Sequence, residues 1–257
     1  MLAAVKKGDA KKLAELMRQD PGFDVNMGLD DVNEWTLLHC ACFEGGRSCA
    51  VIPLLLAHPD IDVNVISKYG STPFDLACQY GSPSCVREML KDSRVKLNET
   101  GNDGCNPLRD AAWDGHLDVI KWWIASGREM DFGIPGDIYA TDAVGAAKKR
   151  GETKVLTLLE RFRSDATQTR HAMRVELGFV DELAAEMFAR VVFVSDGLLQ
   201  INDTKTTTPA ARYFRIARRL PLELQMVLCF RQVGSAKEII SGKDSEVAFK
   251  ELARQLW

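Results

Sequence analysis

The sequence predicts an all-α chain with short β-hairpin loops: a solenoid of about five stacked helix–turn–helix units over residues 1–162, then a helical C-terminal module over residues 163–257. Three observations carry that prediction. One short pattern returns four times, at Thr36-Leu37-Leu38-His39…Gly45, Thr72-Pro73-Phe74-Asp75…Gly81, Asn106-Pro107-Leu108-Arg109…Gly115 and Asp142-Ala143-Val144-Gly145…Gly151. Its closing glycines step by 36, 34 and 36 residues. The period then vanishes after Arg163, although apolar residues continue at helical spacing. A fixed period of this size marks units that cannot bury their own apolar faces and must stack to make one continuous core. Such a stack offers a long face for another molecule.

Taken in order, Leu2 to Ala10 reads as a first helix pair without a hairpin before it. The fullest unit runs from 104 to 136. Asn106 is placed to cap a helix, with Pro107 in its first turn, where a missing N–H costs nothing. Leu108, Ala111 and Ala112 fall on the face toward the neighbouring units, and small alanines let inner helices approach closely. Gly115 ends that helix in a backbone conformation only glycine adopts cheaply. Leu117, Ile120, Trp123 and Ile124 form the stripe of the second helix. Trp122 projects about 100° away round the helix and is either a partly exposed anchor or packed on the next unit or on the C-terminal region. Residues from Met130 onward form a hairpin or extended loop. The pattern from Asp142 lacks the proline and reads as a polar closing unit.

These segments resemble the ankyrin family, whose units run about 33 residues and carry Thr-Pro-Leu-His-x-Ala. Asn106-Pro107-Leu108-Arg109-Asp110-Ala111 through His116 is the fullest match, and Asp24-Val25-Asn26 and Asp62-Val63-Asn64 are similar to the motif that leads into the next hairpin. The resemblance implies that inner helices and hairpin tips line a concave binding face. It also places His39 and His116 where they hydrogen-bond loop backbone.

Residues just before each turn glycine are not needed for stacking. They align as two ladders: Lys6, Phe43, Gln79, Trp113, Lys149, and Lys7, Glu44, Tyr80, Asp114, Arg150. Large aromatics here stand where structure alone would place polar residues, and exposed aromatics are enriched at interaction hot spots. Two readings stay open: the aromatics anchor a peptide or protein partner, or the C-terminal region covers them. Lys68, Tyr69 and Asp103 lie at hairpin tips, and their mixed charge suits solvated turns.

Composition excludes several classes. The net charge of −3 gives no push toward nucleic acid or membrane. No apolar run approaches a membrane span, and Met1 to Lys7 does not read as a signal peptide. Seven cysteines, an odd number, fit a reducing, cytoplasmic or nuclear setting. Cys42 and Cys78, like Cys49 and Cys85, are 36 residues apart and read as small buried apolar residues of successive units. No Cys-x-x-Cys metal spacing occurs, nor any phosphate-loop, dinucleotide, metalloprotease or nucleophile-elbow motif. The chain is expected to be a monomeric binding protein, without catalysis, metal or cofactor.

In the C-terminal part, 164–169 reads as a polar joint. Helix follows from His171 to Gln200, bent near Gly178, with Val191 to Val194 either buried helix or short strand. Pro209 opens a helix with Tyr213, Ile216, Ala217 and Leu220 inward, and Arg212, Arg215 and Arg219 along one side. Pro221 opens another, with Leu224, Val227 and Leu228 apolar. Asp244 or Ser245 caps a last helix carrying Val247, Phe249 and Leu252. The stretch Leu220-Pro221-Leu222-Glu223-Leu224 to Leu228 is similar to the opening of an F-box. That resemblance implies an alternative role as a ubiquitin-ligase substrate adaptor, with Pro221, Leu224 and Leu228 as the ligase hook.

Overall fold

The computed structural model describes residues 1–29, 32–102, 104–133, 142–199, 209–233, 235, 237 and 239–256, with backbone alone at 209–212 and 255–256. It divides into two compact units, Met1–Met173 and Arg174–Trp257.

In the first unit an inner helix is paired with an outer one five times. The pairs are α1 (Leu2–Lys7) with α2 (Ala10–Gln19), and α3 (Leu37–Glu44) with a 3₁₀ turn (Gly46–Val51) running into α4 (Ile52–Leu56). Then come α5 (Pro73–Gln79) with α6 (Pro83–Lys91), α7 (Pro107–Trp113) with α8 (Leu117–Ser126), and α9 (Ala143–Arg150) with α10 (Thr153–Ser164). Inner helices pack in series on one another, and so do outer helices. Ala41, Ala77, Ala111 and Ala147 occupy equivalent inner-helix positions and are all fully buried. Each of the last four inner helices opens on a cap. The side chains of Thr36, Thr72, Asn106 and Asp142 accept the N–H three residues on, those of His39, Asp75, Arg109 and Gly145.

Two further devices set the register. Asn26 bonds both sides of the next unit's loop, donating to the Asp60 carbonyl (2.7 Å) and accepting the Asp62 N–H (2.8 Å). Asn64 repeats this with the Arg94 carbonyl (2.9 Å) and the Lys96 N–H (2.8 Å). At the turns, Gly81 (φ 63°) and Gly115 (φ 73°) are left-handed, and a Cβ on either would run into the following unit, at His116 and Glu152 respectively. Only glycine satisfies both the dihedral and the close approach.

The hairpins are shorter than strands, and no strand occurs among the described residues. Backbone bonds that close them include Leu29 N–H to Trp35 O (2.8 Å), Ser67 N–H to Ser71 O (2.9 Å) and Gly101 N–H to Cys105 O (3.1 Å). Neighbouring tips are joined by Lys68 N–H to Asn33 O (3.0 Å) and Asn102 N–H to Tyr69 O (3.3 Å).

Trp123 is fully buried, edge-on to Phe74 with centroids 5.1 Å apart. Trp122 is half-buried and packs on the preceding unit, with the Arg87 guanidinium 4.8 Å from its ring centroid. The packing reading of the cysteines holds for Cys40, Cys42, Cys78, Cys105 and Cys229, which are buried and form no disulfide. It fails for the remaining pair: Cys49 and Cys85 form a disulfide between successive outer segments, with Cα atoms 5.0 Å apart.

The polar joint read at 164–169 shrinks to Asp165, whose carboxylate accepts the Gln168 N–H (2.8 Å). Helix α11 (Ala166–Glu176) starts immediately after and contains His171. It anchors through buried Thr169, whose hydroxyl donates to the Arg161 carbonyl (3.2 Å), and through buried Met173.

In the second unit Gly178 (φ 72°) precedes α12 (Phe179–Ser195), which packs on α13 (Pro209–Ala217), α14 (Leu222–Gln232) and α15 (Gly242–Leu256). Val191 to Val194 is helix. Ala184, Phe188, Ala217, Cys229, Phe230 and Ala248 are central to the core. Several faces are rotated from the sequence reading. Ile216, Leu224 and Val247 are exposed, while Gln225 and Ala248 turn inward. The cap of α15 is Ser241, which accepts the Asp244 N–H (3.1 Å) and donates to the Asp244 carboxylate (2.7 Å). Helix α13 stops at Ala217, so Arg219 lies beyond the stripe begun by Arg215; the Arg212 side chain is outside the described residues.

Candidate functional site

The last turn of every inner helix contributes to one strip on the same side of the stack. At its start Lys6 Nζ pairs with the Glu44 carboxylate at 3.1 Å, both exposed. Phe43 follows, half-buried, with its ring centroid 4.7 Å from Trp35 and 4.5 Å from Tyr80. Tyr80 is 50 % exposed, and Tyr69 at the adjoining hairpin tip 59 %. Gln79 is half-buried beneath them, and its carbonyl accepts from His116 Nε2 at 2.9 Å.

One unit further, Trp113 sits among cations. Arg109, Lys149 and Arg150 lie 4.9, 5.4 and 5.3 Å from its ring centroid. Arg150 Nε also donates to the Trp113 carbonyl (3.3 Å), and Arg109 pairs with Asp110 at 2.8 Å. Lys149 and Arg150 end α9, where the helix dipole favours positive charge. Asp114 is exposed beside Trp113. Lys7 lies off the strip, on a cleft bounded by Arg47, Arg87 and Trp122. Lys68 links neighbouring hairpin tips, its N–H donating to the Asn33 carbonyl (3.0 Å) and its carbonyl accepting from Asn102 Nδ2 (3.4 Å), and Asp103 is outside the described residues.

Between Trp35, Phe43, Tyr69 and Tyr80 lies a groove of about 640 Å³, with Asp75 and Asp110 deep in its lining. Sequence reasoning missed Trp35, Arg109 and these two aspartates. Trp35 stands one residue before a helix cap, where equivalent units carry Ser71 and Cys105; that contrast was the available signal. Asp75 takes the histidine place of the signature and Asp110 its variable place, so both read as part of the repeat.

Burial holds His39 and Cys78 neutral. Burial pushes the His39 pKa down to about 4, against a small opposing pull from its bond to the Ser71 carbonyl. Burial, then the nearby Asp75 carboxylate, raises the Cys78 thiol well above its ordinary value. Among the described residues no group of three His, Cys, Asp or Glu side chains could hold a metal, and no helix is long and apolar enough to cross a membrane.

A serial stack of helix pairs that leaves a polar and aromatic strip beside its own packing surface defines a protein–protein interaction module. A family model described as ankyrin repeats (3 copies) matches residues 1–100 and 50–134, and the chain belongs to the ankyrin-repeat family. Over 150 residues it is 31 % identical to the human SMC5-SMC6 complex localization factor protein 1, covering 56 % of this chain and 14 % of that protein. Over 103 residues it is 30 % identical to the Saccharomyces cerevisiae target of rapamycin complex 2 subunit AVO2, covering 40 % and 23 %. Human Rabankyrin-5 is 27 % identical over 103 residues, covering 40 % and 9 %. The matched segments span under a quarter of these relatives' lengths.

Proposed function

We propose that the stack binds an extended peptide or protein segment along the strip from Lys6 to Arg150, on its concave face, with Tyr80 and Trp113 as anchors. The carrying observation is the exposed Tyr80 ring, packed edge-on to Phe43 in a row that inter-helix packing does not require. Tyrosine, tryptophan and arginine dominate interface hot spots, and all three converge here. Relatives named for a complex localization factor and a complex subunit support an adaptor role. In this reading the chain is a monomeric, non-catalytic adaptor of the cytoplasm or nucleus, where reducing conditions oppose the Cys49–Cys85 bond. It needs no cofactor, nucleic acid or membrane, and its C-terminal module supplies a second contact.

Proximity labelling in the source cell identifies the partner, and capture by Tyr80→Ala and Trp113→Ala variants tests the face. Both variants are expected to keep the parent melting temperature within a few degrees and to lose capture. Unchanged capture by both removes the proposal.

A further inference from the structure

A second concavity, of about 640 Å³, lies on the outer-helix side of the stack. It runs from the end of α1, past the 3₁₀ turn, to the first two turns of α6 and to Trp122 of α8. Its lining carries two exposed cations, Lys7 and Arg47. The fold sets their backbones close together: the Ser48 hydroxyl donates to the Lys6 carbonyl (3.2 Å), and a Cβ on Gly8 would run into the Arg47 carbonyl. Lys6 finds Glu44 at 3.1 Å, but among the described residues Lys7 and Arg47 form no ion pair. Glu88 is the acid of the described lining, and Lys91 holds it at 2.9 Å. Arg87 is engaged over the Trp122 ring, and with Pro53 these two make the wall.

We propose that this cleft is a further docking site, independent of the concave face, for an acidic segment of a partner protein. Neighbouring aspartate or glutamate side chains sit over Lys7 and Arg47, and an apolar side chain packs against Pro53 and Trp122. Two like charges held near each other by the backbone repel, and carboxylates between them relieve that repulsion. A concave, low-dielectric wall focuses the positive potential and draws anions in. Arg47 offers the fork of N–H donors that grips a carboxylate, and Lys7 adds a point charge beside it. A basic segment would meet like charge. Nucleic acid draws its affinity from many phosphate contacts, and two cations beside an apolar wall supply few.

Panning a random phage-displayed peptide library against the full chain and against Lys7→Glu/Arg47→Glu tests this. Peptides enriched on the parent and lost on the variant are expected to share adjacent Asp or Glu residues next to an apolar one. Charge reversal should weaken them by about tenfold or more, and Lys7→Gln/Arg47→Gln by less in the same direction. Raising salt from about 50 to about 500 mM should weaken them too, and Tyr80→Ala should leave them unchanged. Lys7 and Arg47 are exposed, so both double variants should keep the parent melting temperature. Finding no peptide that the charge reversal releases, or released peptides without neighbouring acids, overturns the proposal and leaves the concave-face reading standing. Acidic peptides that respond to Tyr80→Ala and not to charge reversal overturn it in favour of the concave face.

Discussion

Nε2 of His39 donates to the Ser71 carbonyl across 3.1 Å while Nδ1 of the same ring accepts the Thr36 N–H at 3.2 Å. The ring thus closes its own helix cap on one side and binds the next unit on the other. Only the neutral tautomer with hydrogen on Nε2 does both, because a proton on Nδ1 would face the Thr36 N–H.

This sets the sign of a pH dependence. The folded pKa of about 4 lies below the ordinary 6.5, so between those values the unfolded chain binds a proton that the folded chain refuses. The His39 contribution is complete above about pH 6.5 and drains away as pH falls toward 4, by roughly 3 kcal/mol. Urea midpoints measured across that window should fall with acid in the parent and fall less in His39→Gln. Equal slopes would contradict the buried neutral ring.

The turn glycines separate dihedral strain from inter-unit contact. Gly81 and Gly151 have similar φ (63° and 75°), but a Cβ on Gly81 meets the His116 ring, whereas one on Gly151 meets nothing within 4 Å. Gly151→Ala should cost about 1–2 kcal/mol from the left-handed backbone alone. Gly81→Ala must also displace an imidazole bonded to the preceding unit, and should cost clearly more in urea denaturation. Equal losses would mean that the helix pairs do not stack in this register.

Cys49 and Cys85 give a covalent version of the same stitching. Their bond spans 36 residues of sequence, a loop worth about 3–4 kcal/mol in chain entropy. Alkylation in denaturant without reductant should label five cysteines, and seven after reduction. Reduction or Cys49→Ser should lower the urea midpoint. Seven labels without reductant would show that the isolated protein lacks the bond.

What the sequence disclosed was what the repeat itself encodes. Thr72, Asn106 and Asp142 announce helix starts and Gly81 and Gly115 announce turns, because caps and left-handed glycines are local requirements. The bond between Cys49 and Cys85 was not legible. Cys42 and Cys78 share the 36-residue spacing and remain free, since spacing fixes the rung and not how closely two backbones approach. The groove was legible only in part: Tyr80 and Phe43 follow from the ladder, but Asp75 and Asp110 come from helix faces that the motif also uses for packing. In the second unit, without a period to fix the phase, the start of α15 was read three or four residues late and faces came out rotated.

That rotation decides which residue of α14 can touch a partner. Leu224 is 51 % exposed, whereas Leu228 packs against the core formed by Cys229, Phe230 and Ala248. Leu224→Glu should therefore leave helicity and melting temperature unchanged. Leu228→Glu buries a charge without compensation and should destabilise the module by about 2 kcal/mol or more. A ligase hook on this helix must then rest on Leu224 and its exposed neighbour Leu222, and only the Leu224 variant gives a clean readout. Co-purification with a ligase's small adaptor subunit that is abolished by Leu224→Glu, at full stability, supports the ligase-adaptor reading. No co-purification with the parent chain, or capture indifferent to Leu224→Glu, eliminates it and leaves the inner-helix strip as the binding surface to pursue.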